Sequence, residues 1–337
     1  MKAQSAWLEL PPSAAGGGIV WVALVTSRLT GLTRLTLIDL VFLLAPLVIA
    51  PLGLLLIALD SGPASRLLAA AVRIQPVGAG LATVSFLVPI GAAAAILAST
   101  WLLVCAIAAL GALAYLIQGR SLQPVRLAPA AAVAFMAFGA VWLVLSRTGI
   151  APLGLSPIVV ELTAVHFHFT GFAATLMAAL VLTRLHHERG TSRQTALTAS
   201  VLMIAGSPVL AAGLGTPIHV LQVAGAILVA AGVMATAAVL FFRSASLVDS
   251  TPARILLRVS ALAPLVPMVL AVEYSAGHVF GFPTLDIHAM ALIHGDLNAL
   301  GFSLLGLIGW SFGRTGSTLS AGLSPASSPV GAQPTPL

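Results

Sequence analysis

The chain has 337 residues, of which 59% are hydrophobic and 7% charged, with a formal net charge of +6. A soluble domain is about 25% charged, so no globular surface can be assembled from so few ionic groups and the solvent for most of this chain is lipid. The positive balance does not imply nucleic acid, because the basic residues sit singly in short loops with no stripe and no aromatic platform between them.

Residues 1–18 read as a loose N-terminal segment with no secretory signal peptide, since no apolar run begins before Ile19. Residues 19–35, with Arg28 and Arg34, predict an interfacial helix, and a tenth crossing is the alternative. Together they make an N-terminal unit over 1–36, followed by a transmembrane helical domain over 37–314. The uncharged Ser/Gly/Pro/Ala tail 315–337 predicts disorder.

Nine spans follow in order, at about 20 residues each. Span one is Leu37–Leu59, with Pro46 and Pro51 inside, and a loop over 60–74 carries Arg66 and Arg73. From Ile74 to Gly119 no ionisable acid, base or histidine occurs, which predicts spans two and three over 76–97 and 99–118, with a kink at Pro89. Span four is Leu127–Leu145, and Pro152, Gly154 and Pro157 then forbid regular helix. Span five is Pro157–Leu185; a dense polar loop from Arg184 to Arg193 follows it. Spans six to nine occupy 196–214, 217–242, 255–275 and 286–312. The fold class is therefore an all-α, polytopic transmembrane helix bundle. Cys105, the one cysteine, lies inside a span, which excludes an intrachain disulfide and any cysteine-based metal cluster.

Orientation follows from Lys and Arg. With the C-terminus in the cytoplasm, only Lys2, Arg28, Arg34 and Arg147 of the fifteen basic residues face outward. The expected location is the bacterial cytoplasmic membrane, multi-pass, with the C-terminus inside.

This orientation places six of the eight histidines at or above the midplane on one side. Glu161, His166 and His168 lie in the outer half of span five, and His288, His294, Asp296 and Asn298 in that of span nine. His219 opens span seven, and Glu273 closes span eight. An ionisable group in hydrocarbon costs at least about 2.5–3.5 kcal/mol, and meeting at one depth lowers that cost by pairing, metal binding or shared water. The candidate substrate- or proton-binding residues are therefore Glu161, His166, His168, His294, Asp296 and Asn298, with His219, Glu273 and His288 secondary. His166, His168 and His294 are the candidate metal ligands. At about 100° per residue, His166 and His168 diverge around the helix axis and address different neighbours. On span nine His294 and Asn298 share a face that Asp296 does not. The partners implied are the bilayer and a small molecule or ion.

At His166-Phe-His-Phe-Thr-Gly-Phe172 and His294-Gly-Asp-Leu-Asn-Ala-Leu-Gly-Phe302 the chain resembles the YndJ-like family of bacterial multi-pass membrane proteins, from span one through span nine. The resemblance implies a transporter-like protein with His166, His168, His294 and Asn298 as its candidates. His166-Phe-His168 is also similar to the haem–copper oxidase helix in which two histidines serve two metal centres, and the His294 stretch to motifs of NnrS-type haem–copper proteins. This second likeness implies a transition metal or haem as cofactor. Neither Tyr115 nor Tyr274 adjoins a histidine in sequence and the oxidase copper-ligand stretch is missing, which argues against oxygen reduction. Three functions follow: a transporter or permease-like protein, a haem- or metal-binding redox protein, and a non-catalytic sensor or assembly factor.

Overall fold

The computed structural model describes residues 10–57, 62–216 and 218–313. The first nine residues and the tail predicted to be disordered, 315–337, lie outside the described residues. Among the described residues nine helices are long and apolar enough to cross a membrane: Leu37–Leu56, Pro63–Leu87, Ala92–Gly119, Pro124–Thr148, Pro157–Arg184, Thr191–Gly215, His219–Phe242, Thr251–Phe280 and Ile287–Phe312. No strand occurs among them. The molecule is an all-α bundle of nine spans.

The departures from expectation are local and have local causes. Span two starts at Pro63, not near 76, with Gly62 at φ 117° before it and the proline at its first position. Arg66 and Arg73 therefore ride on the helix, and both are exposed. Pro89 ends span two rather than kinking it. The residue before a proline avoids the α region, and Val88 is extended at φ −112°, ψ 156°. Gly91, at φ 146°, then turns the chain into span three. Span eight is divided into Thr251–Leu262 and Leu265–Phe280 beside Pro264.

Spans one and five form the centre, with 78% and 83% of their most apolar stretches buried. Spans two, three and four pack in succession, and spans six and seven form a tight hairpin. A Cβ at Gly213 would run into the backbone of Gln222, and one at Gly225 into that of Leu210. Those two glycines let the hairpin close backbone to backbone.

The N-terminal helix differs most from its predicted form. It runs Pro12–Leu29, begins seven residues earlier than expected, and lies lengthwise against span one. Gly17 sits over the Leu47 carbonyl, where any side chain would collide, and Trp21 Nε1 donates to Leu40 O at 2.7 Å. Ile19 and Val22, on its other side, are 74% and 57% exposed. Span one then opens with a capping box: Asp39 N donates to Thr36 Oγ1, and Thr36 N donates to Asp39 Oδ2. The bundle end that carries Asp39, Arg147, Glu161 and Asp286 is called the mouth below.

Candidate functional site

Three spans widen into π-helix where they meet. The segments are Ala45–Ile49 in span one, Phe167–Ala174 in span five, and Ala291–Gly295 with Leu297–Leu304 in span nine. They pack on one another, and π segments commonly mark functional sites. In span five the cause is crowding. Phe167, His168, Phe169 and Phe172 fall within six residues, and all four are buried. Phe167 meets Phe138 edge-on at 4.5 Å, and Phe172 fills the notch left by Gly53.

On this frame His166 and His294 stand side by side, ring centroids 6.3 Å apart and inclined at 30°. His166 Nδ1–H donates to Leu162 O at 2.7 Å, and His294 Nδ1–H to Pro267 O at 2.9 Å. A carbonyl can only accept, so in the neutral rings both Nε2 atoms are left as lone-pair acceptors. Neither Nε2 has a hydrogen-bond partner among the described residues. Asn298 donates through Nδ2 to His294 O at 2.8 Å, which fixes the amide and leaves Oδ1 uncommitted. These three side chains line a cavity of about 350 Å3 between spans one and five to nine, together with Gln222, Tyr274 and the exposed His219 and His278.

His168 is not part of this group. It is fully buried, accepts from Trp101 Nε1 at Nε2 (2.9 Å) and donates from Nδ1 to Ala164 O at 2.8 Å. Phe42 packs edge-on to it at 5.0 Å, and the missing side chain of Gly139 makes room for the ring. Both nitrogens are occupied, so the expected His166–His168–His294 ligand set is not assembled. The reason is angular: residues two apart leave a helix in divergent directions. Among the described residues no group of three or more His, Cys, Asp or Glu is placed to share a metal ion.

Glu161 belongs to a separate crevice of about 750 Å3 at the mouth, lined also by Arg28, Arg34, Arg147 and His288. There it interacts with Asp39 of span one and Arg147 of span four. Arg147 is only 7% exposed; it donates to Ser85 O at 2.9 Å and Val88 O at 3.3 Å, and lies over the Phe86 ring at 4.7 Å. It thereby caps the carbonyl end of span two, where a cation suits the helix dipole. In the sequence Arg147 reads only as an outward-facing basic residue, and Asp39 is not among the site candidates. The available clue was depth: each is the one charged residue at the mouth end of its own span, level with Glu161. The crevice and the cavity share Leu37, Ile38 and Ala291.

Two other candidates lie apart. Asp296 is half-buried and lines neither space, and Glu273 is exposed. His288 is exposed beside Asp286, Nδ1 to Oδ1 at 4.0 Å. Asp286 is the N-cap of span nine, and the backbone N–H groups of Ala289 and His288 hold its carboxyl below the ordinary aspartate range.

Nine apolar crossings, packed through widened turns around a polar pocket, define a polytopic helical membrane protein. The chain belongs to the YndJ-like protein family, whose model matches residues 40–302. It is similar to the "Uncharacterized membrane protein YndJ" of Bacillus subtilis (strain 168), at 27% identity over 176 residues, 52% of this chain and 31% of the relative. The chain thus spans about a third of the length of that relative. No solved structure matches.

Proposed function

We propose that this chain is a transporter or permease-like protein of the bacterial cytoplasmic membrane, with its C-terminus inside, and that the His166–His294–Asn298 cavity binds the small molecule or ion it handles. The observation that carries the reading is the pair of imidazoles whose Nδ1 atoms are tied to backbone carbonyls while their Nε2 atoms face an intramembrane space without partners among the described residues. An uncompensated polar atom at membrane depth is costly and is retained where a ligand completes it. Glu161, with Asp39 and Arg147, supplies charge at the entrance. A transition metal or haem would draw on the same two Nε2 atoms, and His168 has no nitrogen to add.

The test needs no substrate. In a Cys105→Ser background, Asn298→Cys is treated with a membrane-impermeant thiol reagent on sealed vesicles of each orientation. A transporter exposes the new thiol to each side in turn, so both orientations label. Labelling from neither side, in protein shown to be folded, removes the transporter reading.

A further inference from the structure

The charge map of the two spaces differs sharply, and the difference constrains the ligand. The mouth crevice contains Arg28, Arg34, Arg147 and Glu161. The inner cavity, which shares Leu37, Ile38 and Ala291 with it, has no Asp, Glu, Lys or Arg among its described lining residues. A small ion that moved inward would leave water and meet no counter-charge, an arrangement that interiors and bilayers avoid.

The inner wall is mainly aliphatic; the hydroxyls of Thr170, Tyr274 and Ser275 can donate or accept, whereas the imidazole nitrogens and the amide oxygen on the facing spans five and nine are acceptors. His166 Nε2, His294 Nε2 and Asn298 Oδ1 only accept from a ligand. Gln222 is 7% exposed and its amide has no hydrogen-bond partner among the described residues. Facing the cavity, that amide is open to a polar group from a ligand or from water.

We infer that the cavity takes an uncharged, largely apolar small molecule bearing two or more hydroxyl or amide donors, which bridge the two imidazoles and the amides of Asn298 and Gln222. This rests on the cavity being a binding site, as proposed above, and adds the class of ligand.

Resorcinol, benzoate and zinc ion serve as probes: an uncharged ring with two donors, an anion of similar size, and a cation that seeks imidazole nitrogen. Purified full-length protein in nanodiscs is treated with diethyl pyrocarbonate, which acylates unprotonated imidazole, and modification is read at each histidine by mass spectrometry. Resorcinol is expected to protect His166 and His294 saturably while leaving the loop histidines His186 and His187 reactive. Gln222→Leu, which keeps side-chain bulk, is expected to raise the resorcinol concentration needed by about tenfold, the effect of one lost hydrogen bond. Protection by zinc or benzoate at lower concentration than resorcinol overturns the inference. So does failure of resorcinol to protect in protein whose Asn298→Cys form labels normally. Where Asn298→Cys does not label, the cavity reading itself has failed.

Discussion

His166 and His168 lie two positions apart on span five and have opposite roles. His168 is a packing residue: its ring is enclosed by Phe42, Trp101 and Gly139, and both its nitrogens are bonded. Trp101→Phe keeps most of the ring's bulk and removes the donor, leaving a buried acceptor. The expected loss is about 1 kcal/mol, read as a lower unfolding temperature of the purified protein, with labelling at Asn298→Cys unchanged. Reduced labelling with unchanged stability would instead place His168 in the functional pocket. The HxH spacing made the divergence of the two rings legible. Which ring faced the cavity was not legible, because that depends on where Trp101 and His294 arrive from elsewhere in the chain.

At the scale of one helix, span nine shows how little regular α-helix the site uses. It begins at the Asp286 cap, turns once as α-helix over Ile287–Met290, and is then π-helix at Ala291–Gly295 and Leu297–Leu304. The cap anchors the end from which His294 and Asn298 project. Asp286→Ala is expected to lower the unfolding temperature at neutral pH and Asp286→Asn to lower it less, since an amide oxygen still accepts from the backbone. The pH dependence has a definite sign. The folded carboxyl is held below its ordinary value, so its contribution is complete above about pH 3.9 and fades as pH falls through the lower folded value. The gap between wild type and Asp286→Ala should therefore close in acid; a gap that widened would contradict the cap. The cap was written in the sequence as an aspartate before an apolar run. The π segments were not, because the extra residue per turn answers crowding by neighbouring spans.

For the whole molecule, the N-terminal helix bears on the topology, because a tenth crossing there would put both termini on one side of the membrane. It packs lengthwise against span one, with Gly17 on Leu47 and an apolar outer side. Arg28, Arg34 and Arg147, three of the four basic residues expected to face outward, all line the mouth crevice. Reporters fused separately to the two termini are expected to read the same side of the membrane. Opposite sides would return the helix to the interface predicted from its hydropathy.

The amino-acid sequence by itself determined the solvent and the nine long apolar spans found among the described residues, because span length and hydropathy are properties of consecutive residues. Only the tertiary structure decided that Glu161 joins Asp39 and Arg147, that His166 joins His294, and that His168 joins Trp101. Those pairings depend on the rotation of each helix about its axis and on which helix lies beside it. Packing among spans distant in the chain sets both.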